Sequence, residues 1–308
     1  MLSFCHEEVV FIRTVHIVNP TAGKGQSMSF LKLKSESDII YESVCRGDIE
    51  RYTRETLTQN PHTHLYVYGG DGSINEAVNG IMASGAGDEA LLTPVPTGSG
   101  NDFIKTLGEF DLYGQSTQSR KIDLIKYNGR YAINILNIGF DCTVVEKVEK
   151  YKHIPLISGS FAYILGVADV LAHLSGESLH IVLSCADGTE EIFSGEFLLC
   201  AAANGQYYGG GFRSAPLALC DDGLLDVMVI KKISRKRFIS LVGDYKKGGH
   251  MNFSTGAPSD KFADIISFKK CTKLTITQMK KLCADGDIEA MESAEVSVVP
   301  QAVNIAQK

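Results

Sequence analysis

The chain has no excess of positive charge, no paired-cysteine motif and no long apolar run, and each lack removes a class of function. Its 30 Lys and Arg against 36 Asp and Glu leave a formal net charge of −6. Bulk electrostatic binding to nucleic acid wants the opposite sign, so no nucleic-acid partner is expected. The eight cysteines, at positions 5, 45, 142, 185, 200, 220, 271 and 283, never stand as Cys-x-x-Cys. Neither a zinc site nor a thioredoxin-like motif is indicated, and they read as small buried apolar side chains in a reducing compartment. No charged-then-apolar leader opens the sequence, and no apolar stretch reaches the roughly 18 to 20 residues that a membrane span needs. A cytoplasmic protein is expected, touching at most the inner face of the membrane.

What is present is ordinary globular composition, 44% hydrophobic and 21% charged over 308 residues. That length is long for a single core, so two domains are expected.

One stretch organises the rest. The β-prone run Leu65-Tyr66-Val67-Tyr68 stops in Gly69-Gly70-Asp71-Gly72-Ser73, after which Ile74, Ala77, Val78, Ile81 and Met82 repeat at helical spacing. Glycines in a strand-to-helix turn let backbone N–H groups approach an anion at the positive end of the helix dipole. Asp71 would repel that anion unless a cation or a reacting hydroxyl stands between them. Taken alone, such a turn is more often a plain connection than a nucleotide site.

Two further small-residue turns follow strands. Thr14–Val18 runs into Asn19-Pro20-Thr21-Ala22-Gly23-Lys24-Gly25, which does not fit the P-loop spacing but can hold phosphates through backbone amides. Leu91–Pro96, which Pro94 and Pro96 make imperfect as a central strand, leads into Thr97-Gly98-Ser99-Gly100-Asn101. With a strand at Asp38–Ser43 and a helix from Asp48 to Leu57, the rhythm is that of a doubly wound parallel sheet. Ligands of such sheets collect at the carboxyl ends of the strands, where all three turns fall.

From about Ile122 the texture changes. Ile122–Tyr127, the turn Asn128-Gly129 and Arg130–Ile135 form a hairpin signal. Further strands are expected at 179–185, 190–203, 224–231, 263–270, 273–277 and 294–299, giving an antiparallel β-sandwich. Phe161 to Leu174 is apolar nearly all round. It reads first as a buried helix and second as the wall of a lipid pocket or a membrane-facing surface. Lys231, Lys232, Arg235, Lys236, Arg237, Lys246 and Lys247 form a basic cluster that is either a solvated helix face or a contact for anionic lipid.

Asn19–Lys24, Gly69–Glu76 and Pro96–Phe103, followed by Asn137–Asp141, Asn204–Gly211, Asp221–Asp226 and Asp285-Gly286-Asp287, stand in an order that resembles the diacylglycerol kinase catalytic domain family. The resemblance is to its soluble bacterial lipid kinase branch, related to sphingosine and ceramide kinases and to NAD kinase. It implies a nucleotide-binding α/β domain at 1–121, similar to that of NAD kinases and phosphofructokinases. A β-sandwich domain for the lipid follows at 122–299, and residues from about 300 return to the first. It further implies ATP contacts at Asn19, Pro20, Thr21, Ala22, Gly23, Ser43, Gly69, Gly70, Asp71, Gly72, Ser73, Asn75 and Thr97. Serine at 43 and 73 replaces a family threonine and keeps the hydroxyl. A structural Mg²⁺ maps to Leu219, Asp222 and Leu224, an oxygen set suited to a hard cation. The catalytic carboxylate lands on Asp285. Asp287 stands where the family has glutamate, and Asp71 organises metal and triphosphate. The implied reaction is ATP-dependent phosphorylation of a lipid hydroxyl at a membrane surface, with diacylglycerol leading. An NAD kinase-like reaction and a non-catalytic lipid- or nucleotide-binding homologue stay open, and edge strands leave room for a homodimer.

Overall fold

The computed structural model describes residues 13–25, 38–98, 100–108, 119–152, 165–166, 169–171 and 174–306. Chain contacts divide it into two units. One comprises Met1–Gly98, Leu107–Ile122 and Gln301–Lys308, and the other Ser99–Thr106 and Asp123–Pro300.

In the first unit β1 (Arg13–Val18), β2 (Ile39–Glu42), β3 (Thr63–Gly69) and β4 (Leu91–Pro96) form an open sheet in the order β2-β1-β3-β4, every pair parallel. Helices α1 (Asp48–Gln59) and α2 (Asp71–Ser84) are the crossovers. Parallel strands covered by helices read as continuous apolar runs, and Val15, Ile17, Val18, Leu65 and Val67 are all buried. α1 and α2 approach closely because Gly80 has no side chain; a Cβ there would lie 2.6 Å from the carbonyl of Glu50. The edge of β4 is joined by Asn304 and Ile305, which pair with Leu91 and Leu92. That pairing stops before Pro94 and Pro96, so the prolines withdraw no donor that it needs.

The second unit is antiparallel and β-rich. β5 (Ser119–Tyr127) and β6 (Arg130–Ala132) are joined at Asn128 (φ 44°) and Gly129 (φ 81°), the two positive φ values that a type I′ hairpin requires. β6 ends at Ala132 and a new strand, β7 (Ile135–Gly139), starts three residues on. The single strand Arg130–Ile135 expected from sequence is therefore divided, because the amides of Ile133, Asn134 and Ile135 donate to the Asp285 carboxylate instead of to a ladder.

Helix α3 (Asp102–Leu107) precedes β5 in the chain, and β7 runs into α4 (Phe140–Lys152), which is followed by β8 (Glu177–Cys185), β9 (Glu190–Ala203) and β10 (Leu225–Lys231). Next come α5 (Arg235–Lys247), the two-residue strands β11 (Met251–Asn252) and β12 (Ala257–Pro258), then β13 (Ile266–Thr277), β14 (Lys281–Ala284), β15 (Asp287–Ala290) and β16 (Ser293–Ala306). β13 joins what sequence reads as separate strands at 263–270 and 273–277. Its register against β8 shifts between Cys271 and Lys273, a bulge where it passes from pairing β10 to pairing β8 and β16. β9 does the same, pairing β8 with its first half and β7 and β10 with its second.

Alternation along β10 sorts its side chains. Leu225, Val227 and Val229 enter the sandwich core with Ile181, Leu183, Leu274 and Leu282. Met228 and Ile230 face the other way, under Phe238, Leu241 and Tyr245 of α5. Helix α4 was not read from sequence, although Asp141, Val144 and Val148 are buried at helical spacing. Most of Phe161–Leu174, with His173, lies outside the described residues, as do Ser99 and the Lys24 side chain. No helix among the described residues is long and apolar enough to cross a membrane.

Candidate functional site

In the first unit the turns expected to hold phosphates sit side by side at the carboxyl ends of β1, β3 and β4. The amide of Asn19 donates to the carbonyl of Tyr68 (2.9 Å), and those of Thr97 and Gly98 donate to Gly69 (3.0 and 3.1 Å). After β2, the amide of Ser43 donates to Val18 (2.8 Å). The Asn19 side chain donates to the Ser73 hydroxyl at 3.2 Å, while its Oδ1 accepts from Thr21 and shapes the Pro20-Thr21-Ala22 turn, which Gly23 closes at φ 56°. Ser43, Ser73, Asn75 and Thr97 are buried, Asp71 is half-buried and Gly72 is exposed. No side chain caps α2 from Gly70, so the positive end of a 14-residue helix faces the turn.

The glycines divide by role. A Cβ on Gly69 would lie 2.2 Å from Ser73 Oγ, whereas one on Gly72 would meet nothing within 4 Å. Gly69 is demanded by packing. Gly72 leaves open space where backbone can approach a ligand. Glu76, part of the same motif, points elsewhere. Its carboxylate accepts from the amides of Gly47 (3.0 Å) and Ile49 (3.2 Å) at the start of α1.

In the second unit Asp285, at φ 48°, is held by three backbone amides: Ile133 at 2.7 Å, Asn134 at 3.0 Å and Ile135 at 2.9 Å. Asp287 opens β15 and is half-buried. The catalytic assignment of this pair thus meets a carboxylate that also has a structural task.

The expected Mg²⁺ turn is built differently from a vacant oxygen cage. The amide of Gly223 donates to Asp123 Oδ2 (2.7 Å) and that of Leu224 to Asp222 Oδ1 (3.1 Å). The other oxygen of Asp222 accepts from Lys270 Nζ (2.8 Å), which also donates to Asp226 Oδ1 at 2.7 Å. Burial pushes the Asp226 carboxyl up to about 6, against the pull of the Lys270 ammonium. The one side-chain ligand assigned to the metal therefore already carries a cation, and the residues do not fit a structural Mg²⁺.

Sequence reading assigned no role to Asp141, though its motif was singled out. It is buried at the start of α4, accepts a hydrogen bond from the Tyr208 hydroxyl, and has its carboxyl pushed up to about 7 by burial. The pair borders a small apolar cavity of about 30 Å³ walled by Phe140, Leu199, Phe212, Ile230, Phe238 and Leu241. The detectable signal was the acid set within an apolar run.

An open parallel sheet with small-residue turns at its strand ends, followed by an antiparallel sandwich, defines a class of two-domain α/β plus β proteins. Residues 13–127 match the diacylglycerol kinase catalytic domain, and residues 134–307 match the YegS C-terminal NAD kinase beta sandwich-like domain. The chain belongs to the family that carries these two domains. A Staphylococcus aureus (strain MSSA476) protein bearing the name "putative lipid kinase" is 29% identical over 300 residues, covering 93% of this chain and 92% of its own. One of the same name from strain MW2 matches equally. Among solved structures, a diacylglycerol kinase from Bacillus anthracis str. Sterne superposes with a TM-score of 0.67 at 21% identity, covering 96% of this chain and 97% of its own. At that identity the likeness is one of fold.

Proposed function

We propose that this chain is an ATP-dependent kinase that transfers the γ-phosphoryl group to a lipid hydroxyl, with diacylglycerol, giving phosphatidic acid, as the first candidate substrate. Phosphoryl transfer asks a protein mainly for positioning and charge neutralisation. In this reading the amides of 19–23, 69–73 and 97 cradle the phosphates, with Ser43, Ser73 and Asn75 beside them. Asp71 orders the magnesium that accompanies the nucleotide. In the second unit Asp285 orients the attacking hydroxyl, aided by Asp287.

The observation that carries the kinase reading is the set of small-residue turns that backbone hydrogen bonds join at the ends of β1, β3 and β4, and the lipid acceptor is supported by the name of the relatives, "putative lipid kinase". On the outer face of α5, exposed Arg235, Lys236, Ile239 and Lys247 suit peripheral contact with an anionic bilayer.

The test is transfer of labelled γ-phosphate from Mg-ATP to a panel of diacylglycerol, phosphatidylglycerol, a sphingoid base, ceramide and NAD. Labelled phosphatidic acid is the expected product. Labelling of NAD with no lipid labelled would replace this reading by the NAD kinase-like one, and ATP binding without any transfer would leave a binding protein.

A further inference from the structure

We propose that the Lys270 ammonium takes the place of a structural divalent cation in the Leu219–Leu224 turn, so that this turn is held without metal. The inference is independent of which substrate the kinase reading assigns.

It rests first on strand register. β10 and β13 pair antiparallel with Asp226 directly opposite Lys270. Asp226 lies on the same face of β10 as Met228 and Ile230, and Lys270 on the same face of β13 as Phe268. The lysine is therefore delivered beside Asp226 by the ladder itself, and from there it spans to Asp222 at the turn. Its two contacts, 2.7 and 2.8 Å, are those of charge-assisted hydrogen bonds. The Asp226 side chain is 1% exposed and that of Asp222 21%. Carboxylates so placed require a counter-charge, and Lys270 supplies it.

The second observation is the state of the Asp222 carboxylate. One oxygen accepts from Leu224 and the other from Lys270, so a dication on either oxygen would have to share it with a donor already bound. An ammonium within hydrogen-bond distance of the same oxygen would also repel a metal bound there. The third is that the turn is already fixed. Asp123 accepts the Gly223 amide at 2.7 Å and donates its own amide to Cys220 at 2.7 Å, while the Asn204 side chain donates to its carbonyl at 2.8 Å. Holding the backbone is what a structural ion would do, and buried side chains do it here.

The test uses full-length, nucleotide-free protein stripped of metal by EDTA, followed by thermal unfolding and calorimetric titration with MgCl₂ or CaCl₂. For the natural sequence, the melting temperature is expected to stay within about 1 °C between EDTA and 10 mM salt, with no binding heat above that of Asp222→Asn. Lys270→Met removes the charge but keeps much of the stem. Its melting temperature is expected to fall by several degrees in EDTA and to recover at least half the loss in Mg²⁺. Lys270→Arg is expected to stay indifferent to metal. A natural chain that gains more than about 3 °C from Mg²⁺, with the gain abolished in Asp222→Asn, would overturn the inference. So would a soluble Lys270→Met that loses stability and recovers none. Should Lys270→Met not accumulate as folded protein, the titration of the natural chain decides alone.

Discussion

The carboxylate of Asp285 accepts the backbone N–H of Ile133 at 2.7 Å across 152 positions of sequence. With Asn134 and Ile135 also donating, this one side chain ends β6 and starts β7. The same carboxylate is the one assigned to the attacking hydroxyl, so a single side chain is given both a structural and a chemical task.

Two substitutions separate the tasks of Asp285. Asp285→Ala abandons three amides and is expected to cost at least about 2 kcal/mol of stability and nearly all turnover. Asp285→Asn keeps a carbonyl acceptor and loses the charge. It should retain most of the stability while turnover of the folded fraction falls roughly 10²–10⁴-fold. Denaturant unfolding and kcat measured on the same preparation give both quantities. An Asn variant within tenfold of the natural kcat would leave Asp285 a purely structural residue.

Gly69 and Gly72, three positions apart in one motif, are expected to fail differently. An alanine Cβ at 69 would sit 2.2 Å from Ser73 Oγ, so Gly69→Ala should cost about 1–3 kcal/mol through displaced backbone. At 72 the space is open, and Gly72→Ala should leave the melting temperature within about 2 °C while raising the KM for ATP severalfold. Unchanged nucleotide affinity in Gly72→Ala would remove that turn from the phosphate site.

Asp141 gives a pH dependence of known sign. Its carboxyl titrates at about 7 in the folded chain and near 4 once unfolded, so between those values the folded state holds the extra proton. Stability from this group is therefore full below about pH 4 and declines by up to about 1.4 kcal/mol per pH unit as pH rises to 7, then levels. The contribution is isolated as the difference between the natural chain and Asp141→Asn, each unfolded by denaturant from pH 5 to 8. Parallel curves for the two would mean that the carboxyl is not buried as the Tyr208 contact places it.

Local patterning made much of this molecule legible. Asn128-Gly129 announced its hairpin, and the runs ending at Asn19, Gly69 and Thr97 announced three adjoining turns, because turn chemistry and strand periodicity are properties of a few consecutive residues. What stayed hidden depends on partners far along the chain. Nothing near Lys270 says that register will set it against Asp226, 44 positions away. Nothing near Asp285 foretells its grip on 133–135. The bulge that fuses two expected strands into β13 is likewise settled by the separate demands of β8 and β10.

Glu76 makes the same point inside the motif itself. It closes the Gly69–Glu76 motif but is not among the residues assigned to the nucleotide. Its carboxylate instead accepts the amides of Gly47 and Ile49, doing for α1 what no N-cap side chain does, since Gly47 sits there at φ 87°. Glu76→Ala should therefore cost about 1–2 kcal/mol of stability, the usual scale of a lost cap, and leave the KM for ATP within about threefold. Glu76→Gln, which keeps one acceptor, should recover part of that loss. If Glu76→Ala unfolded normally and lost nucleotide binding, the carboxylate would belong to the phosphate site after all, and the start of α1 would have to be held by Asp48, which accepts the Val44 amide at 2.9 Å.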